Sequence, residues 1–335
     1  MSGEGAFDNV ILGRLLLIVM LGVAISAVPV AAETQAHAPR IGLLTSGACP
    51  TKGNLPLFLE GLQERGYVVG QNLVLECRHT EKASDERFRQ FAAELVRLNV
   101  ELIFAVSSAA VRGIRPASQT IPVVALDLES DPVGSGFAAS LGRPGGNITG
   151  IFLDAEQMNG KRLQMLRELP PRMSRVAALW DASLDSTPLK TTETIARSFG
   201  VGLQVLPVRG PNELAGAFGA ARRQRADAIL VMQGPFMDVS GKQIADLALQ
   251  SHLPAMGIFP TFVTQGGLVS YGPNVGNLFK QASSYIDRIL KGARPGDLPI
   301  ERPTHFYTAV NLRTARSLGV TIPSSLLTQA TQVIE

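Results

Sequence analysis

Histidine and cysteine are scarce in this chain, and recognised catalytic signatures are missing altogether. The four histidines, His37, His79, His252 and His305, stand far apart, and none has the close spacing of a metal-ligating pair. No zinc site is therefore expected. The pattern G-x-S-x-G does not occur, which removes the nucleophile elbow of the α/β-hydrolases. Nor does G-x-x-x-x-G-K-[ST], which removes a phosphate-binding P-loop. With no catalytic constellation and no metal or cofactor motif of weight, the chain reads as a binder and not an enzyme. An excess of charge is also lacking, since 31 Lys and Arg face 28 Asp and Glu. The densest basic cluster, Arg222, Arg223 and Arg225, precedes the apolar run 228–232 and reads as a solvated helix end. Nucleic-acid binding needs a concentrated basic face, so no nucleic-acid partner is expected. Long apolar runs are missing too, because the one near the N-terminus meets Ser26 and Pro29 before reaching the roughly 20 residues a membrane span requires.

What that N-terminal run does resemble is a secretory signal. Arg14 precedes the apolar stretch 15–27, and Val30, Ala31 and Ala32 supply small residues for cleavage near Ala32. Residues 1–32 are expected to be removed on export to the periplasm. No cysteine lies in or just after the run, so a lipid anchor has no attachment point and the mature chain is expected to be soluble. Cys49 and Cys77 both fall early in the mature chain, where an oxidising compartment permits a disulfide. Sequence leaves two alternatives open, a bridge between them or two separate buried thiols.

Beyond the signal, apolar runs of strand length alternate with segments of helical period almost to the end, the pattern of an α/β fold with parallel sheets. The run 40–45 reads as a strand. Leu55, Phe58, Leu59 and Leu62 then recur at helical spacing, and Gly66 offers the left-handed residue that ends a helix. A strand over 73–77 follows, then a helix with Phe88, Phe91, Leu95 and Leu98 inward, and strands over 101–106, 121–127 and 148–153. The pattern restarts after Gly150 with strands over 175–180, 202–207, 227–232 and 254–258, and helices near 187–199, 212–224 and 239–251. A β-run over 268–271, a helix over 277–290, a segment 304–310 and a helix 312–318 complete it. A mature chain of roughly 300 residues exceeds the size at which single cores split. Two lobes are expected: 38–153 with a returning segment 274–292, and 154–272 with the tail 300–335.

Open α/β sheets bind ligands beyond the carboxyl ends of their strands. That rule selects Thr45 and Ser46, Ser107 and Ser108, and Ser130 and Asp131 in the first half. In the second it selects Asp181, Gln233, Gly234, Phe259 and Tyr271. Hydroxyls, carboxylates and aromatic rings together suit a small polar or zwitterionic ligand. Each also has a plain structural use: Ser107 and Ser108 as helix caps, Asp131 before Pro132 as a helix start, Phe259 and Tyr271 as core. An enzymatic alternative is a dehydrogenase, because Gly134, Gly136 and Ala139 satisfy G-x-G-x-x-A with Asp154 about twenty residues on.

The segments GLQERGYVVGQNLVLE, SDPVGSGFAASLGRPGGNITG, GKRLQMLRELPPRMSRVAALWD and NLRTARSLGVTIPSSLL resemble the ABC transporter substrate-binding family related to tryptophan and tyrosine importers. With their spacing they cover nearly the whole mature chain. The family's G-T-P-A-A-like loop is represented by Ser107, Ser108, Ala109 and Ala110, and its G-D-P-V by Ser130, Asp131, Pro132 and Val133. The resemblance implies a type I periplasmic-binding-protein fold of two Rossmann-like lobes, with a small-molecule ligand trapped between them, an amino acid or related carboxylate first among candidates. It implies an inner-membrane ABC permease and its ATPase as partners, and a chain acting as a monomer. The same fold also serves as the receptor subunit of membrane sensors, a further alternative.

Overall fold

The computed structural model describes residues 38–335 apart from 47–48, 50–54, 81–84, 154, 170–171, 183 and 185. The expected signal peptide and Asp154 lie outside the described residues. Among those described, no helix is long and apolar enough to cross a membrane.

The first lobe is built on five parallel strands, β1 (Arg40–Thr45), β2 (Val74–His79), β3 (Leu102–Val106), β4 (Val123–Asp127) and β5 (Ile148–Phe152), in the order β2-β1-β3-β4-β5. Their central strands are apolar throughout because both faces are covered. Helices α1 (Leu55–Gln63), α2 (Asp85–Arg97) and α3 (Ser108–Ile114) connect them. On one face Phe88, Phe91 and Leu95 of α2 pack with Ile103 and Ala105; on the other Phe58 of α1 stacks on Phe104, ring centroids 4.7 Å apart. The disulfide alternative is realised: Cys49 is bridged to Cys77, their Cα atoms 6.0 Å apart, tying the loop after β1 to β2.

The second lobe repeats the plan. Helix α4 (Ala155–Arg167) leads to β6 (Arg175–Asp181), then α5 (Thr187–Ser198), β7 (Gly202–Val208), α6 (Leu214–Arg223), β8 (Ala228–Val231), α7 (Pro235–Val239), α8 (Gly241–Gln250), β9 (Ala255–Gly257), α9 (Pro260–Thr264) and β10 (Val269–Pro273). With two later strands, β11 (Phe306–Asn311) and β12 (Gln332–Ile334), the sheet order is β12-β11-β10-β9-β8-β6-β7. Its first five strands thus repeat the β2-β1-β3-β4-β5 winding. Helix α10 (Val275–Leu290) returns to the first lobe, where Leu278, Phe279, Ala282 and Ile286 join the cluster of Phe58 and Phe104. The chain then runs back beside β5, with Thr149 Oγ1 donating to the Leu298 carbonyl at 2.7 Å and the Glu301 N–H to Gly150 at 2.9 Å. It enters β11 (Phe306–Asn311), antiparallel to β10, followed by α11 (Leu312–Leu318), α12 (Ser324–Gln329) and β12 (Gln332–Ile334).

Two sequence expectations fail locally. Asp131 and Pro132 open a run of tight turns and not a helix, with the N–H of Phe137 bonded to the Pro132 carbonyl. Gly134, Gly136 and Ala139 therefore lack the helix start on which a dinucleotide pyrophosphate would rest, and the dehydrogenase alternative loses its structural basis. The short elements α7, α9, α12 and β12 are also additions, each of six residues or fewer and so carrying little periodicity.

Gly150, in the middle of β5, has φ +130°, and a Cβ there would stand 2.1 Å from the Ala125 carbonyl oxygen. Gly150→Ala must move β5 off β4, and should lose more than about 3 kcal/mol of stability in urea titration. A loss below about 1 kcal/mol would show that the strand contact is not tight.

Candidate functional site

Both lobes wind in the 2-1-3-4-5 order, whose crevice lies where the winding reverses, between the first and third strands. In the first lobe that point is flanked by Thr45, the last residue of β1, with Ser46, and by Ser107 and Ser108 after β3; in the second by Asp181, the last residue of β6, and by Gln233 after β8. The two sets of strand ends meet. Leu128, just past β4, packs on a buried cluster of Leu153, Met158 and Ile258, against which Phe259, Tyr271 and Phe306 of the second lobe also pack. Tyr271 lies flat on Phe306 with centroids 5.3 Å apart, so one side of the junction is a wall of aromatic and aliphatic surface.

Above that wall the first lobe presents acid. Asp127 ends β4 fully buried; its Oδ1 accepts the N–H groups of Glu129 at 2.9 Å and Ser130 at 3.0 Å, while Oδ2 has no partner. Burial raises its pKa, against those hydrogen bonds. Glu129, half-buried, accepts the Ser108 hydroxyl on Oε2. Its pKa is pushed up to about 7, first by desolvation and then by the charge of Asp127, while the Ser108 hydroxyl and N–H and the charge of Arg112 pull it down. Arg112 is itself clamped by Asp85, with Nη2 to Oδ1 at 3.0 Å and Nε to Oδ2 at 3.1 Å.

In the second lobe Asp238, on α7, lies near enough to feel the charge of Glu129. It keeps exposed surface, yet the surrounding protein desolvates its carboxyl, as befits a group on the wall of a cleft. Desolvation, with the charge of Glu129 added, carries its pKa up to about 7; the charge of Arg162 opposes the rise. Arg162, in α4, is wholly buried, and burial lowers its pKa to about 9. Nη2 donates to the carbonyls of Val231 at 2.5 Å and Met256 at 3.0 Å, and Nη1 to Asn159 at 3.1 Å. A single cation so ties the ends of β8 and β9 together beneath the cleft.

The residues selected from sequence are divided by the structure. Ser107 caps α3, its Oγ accepting the Ala110 N–H at 3.3 Å, with φ at +115°. Ser108 is buried against Glu129. Asp131 is exposed and spends its carboxylate on its own turn, accepting from Val133 at 3.1 Å and Gly134 at 3.0 Å. Asp181 is buried beside Gly234, where a Cβ would approach Asp181 Cβ to 3.0 Å. Gln233 is half-buried and its Oε1 has no partner. Phe259 and Tyr271, both half-buried, belong to the apolar wall, and Ser46 and Ser130 stand half-buried at their strand ends. Sequence reasoning passed over Asp127, Glu129, Asp238, Arg162 and Phe306. One signal was available, since Asn159 and Arg162 interrupt the apolar face of α4 to which Met158, Leu163 and Leu166 belong.

Two doubly wound lobes joined by three chain passages and meeting at their strand ends define a type I periplasmic-binding-protein fold. The chain belongs to the ABC transporter substrate binding protein family, whose model matches residues 56–334. It is similar to a tyrosine-binding protein of Clostridioides difficile, 20% identical over 267 residues that span 78% of this chain and 75% of that one. Among solved structures it resembles an ABC domain in complex with L-Trp from Streptococcus pneumonia, with TM-score 0.77, 25% identity and coverage of 88% of this chain and 99% of that one. It also resembles the ligand-free, open structure of a substrate binding protein from Clostridium difficile, with TM-score 0.64, 19% identity and the same coverage.

A carboxyl group whose folded pKa is raised stabilises the fold below its unfolded pKa, and that contribution is lost as pH rises through the folded value. Glu129 and Asp238 therefore cost the protein stability as pH rises from their ordinary values, 4.5 and 3.8, to about 7. Urea unfolding should show a decline of about 1–2 kcal/mol over that window, allowing for the water that reaches both groups. The Glu129→Gln, Asp238→Asn double variant should be flatter; an equal slope would mean that neither carboxyl is perturbed.

Proposed function

We propose that this chain is an exported solute-binding protein that captures a small organic molecule between its lobes and delivers it to an inner-membrane ABC permease with its ATPase. The observation that carries this is the junction itself: strand ends of both lobes pack on one apolar cluster, and two side-chain oxygens just past or at strand ends, Asp127 Oδ2 in the first lobe and Gln233 Oε1 in the second, have no hydrogen-bond partner. Buried groups without partners are unstable in isolation, and a bound solute relieves them. The family and the relatives support the same reading, and their tyrosine and tryptophan make an amino-acid-like solute with an aromatic body the first class to test.

In this reading the lobes are 38–153 with 274–292, and 154–272 with 300–335, and they close over the ligand as rigid bodies. Phe259 and Tyr271 cover its apolar part. Ser46, Ser107, Ser108, Ser130 and Asp131 shape the first-lobe side, and Asp181, Gln233 and Gly234 the second. Residues 1–32 act as the signal peptide, and the mature chain works in the periplasm as a monomer.

Melting curves taken with amino acids, aromatic amines and aromatic carboxylates test it. A solute at 100 times its Kd adds about 2.7 kcal/mol to the folded state, enough to raise Tm. We expect at least one such solute to do so and nicotinamide cofactors to have no effect. Phe259→Ala should weaken the active solute about tenfold, roughly 1.4 kcal/mol. A shift with the cofactors alone would overturn the proposal.

A further inference from the structure

Part of the polar seat of the first lobe is already taken by the protein. At the start of α3, where a ligand carboxylate would look for donors, the Ser108 hydroxyl and N–H go to Glu129, while the Ser107 hydroxyl accepts the Ala110 N–H and keeps its own hydrogen to donate. What this end of the cleft offers a ligand is the outer face of a carboxylate, with buried Asp127 behind it and one Asp127 oxygen unpartnered. Across from it stands a second carboxylate, Asp238.

Among the described residues neither Glu129 nor Asp238 forms an ion pair, and the two cations that act on them, Arg112 and Arg162, have their hydrogen bonds elsewhere. The charged groups felt by Glu129 are Asp127 and Arg112, and by Asp238 are Glu129 and Arg162; Asp181 lies buried beside Gly234 at the foot of α7. Arg112 is clamped by Asp85 outside the cleft. Arg162 is wholly buried, with two of its nitrogens committed to Asn159 and to the Val231 and Met256 carbonyls. Closing the lobes on a neutral or anionic ligand would bring two carboxylates together in a drying cleft, and like charges so placed repel. A ligand cation between them reverses the sign of the interaction. The apolar wall of Leu128, Phe259 and the stacked Tyr271–Phe306 pair fits the rest of such a molecule, because aromatic faces attract cations.

We infer that the ligand is an organic cation with an apolar body and net positive charge, its ammonium group lodged between Glu129 of the first lobe and Asp238 of the second. The inference rests on the reading of the cleft as a solute site and narrows that reading to amines, in place of the carboxylate first expected.

The test is calorimetric titration with matched probes: tryptamine, tyramine and putrescine as cations, tryptophan and tyrosine as zwitterions, indole-3-acetate as an anion. A cation should bind at least about tenfold more tightly than the amino acid of the same skeleton, and indole-3-acetate should not bind. Glu129→Gln and Asp238→Asn should each weaken the cation by about 30-fold or more, as loss of a desolvated charge partner does, with melting curves confirming that both variants fold. Wild-type affinity for the cation should fall as pH drops through about 7, with protons released on binding, seen as a dependence of the measured heat on buffer, and the double variant should lose both effects. Tighter binding of an amino acid or of indole-3-acetate would overturn the cation assignment while leaving solute capture standing, as would a cation indifferent to both substitutions. Failure of every probe to bind at about millimolar concentration would overturn both.

Discussion

The hydrogen bond from Ser108 to Glu129 sets the character of the whole cleft. It places a carboxylate at the start of α3 and occupies the Ser108 hydroxyl and N–H. Asp238 on the other lobe feels that charge beside its own desolvation, which the charge of Arg162 offsets in part, and a proton or a further cation relieves the rest. The raised pKa values of both groups, about 7 each, express the first solution, and a bound cation would supply the second.

What brings the two carboxylates face to face is topology. The same winding, 2-1-3-4-5, is used twice, so each lobe has a reversal point with loops free to carry polar groups. Three passages of chain join the lobes, and the last lies against β5 through Thr149, Gly150 and Glu301. The aromatic stack of Tyr271 on Phe306 grows from the antiparallel pairing of β10 with β11, because the entry of β11 lies beside the exit of β10. Under the cleft, Arg162 replaces a protein counter-ion with backbone carbonyls, which pins β8 to β9 without neutralising Asp238 by direct contact.

Much of the fold could be read from sequence because its signals are redundant. The strand over 40–45 and the helix over 312–318 were expected with the bounds they have, and Phe88, Phe91 and Leu95 are buried as their spacing required. The site was less legible. The strand-end rule leads to the right neighbourhood, since Glu129 adjoins Ser130 and Asp238 follows Gln233 by five residues. It does not say which of several successive polar residues a turn directs into the cleft. Asp131 is the more telling acid in sequence because of Pro132, yet the tight turn consumes both of its oxygens, whereas Glu129, behind an unremarkable leucine, bonds Ser108 and acts on Asp238 of the other lobe. The disulfide was undecidable for a related reason: spacing alone cannot show that the loop after β1 folds back over β2.

The cation account is tested most directly by the solute the protein itself selects. Protein purified from its native compartment without denaturation should, on unfolding, release a small molecule that mass spectrometry identifies, in about one-to-one ratio with the chain. The account predicts an amine of net positive charge with an apolar body. Recovery of an anion or of a simple zwitterionic amino acid in that ratio would contradict it.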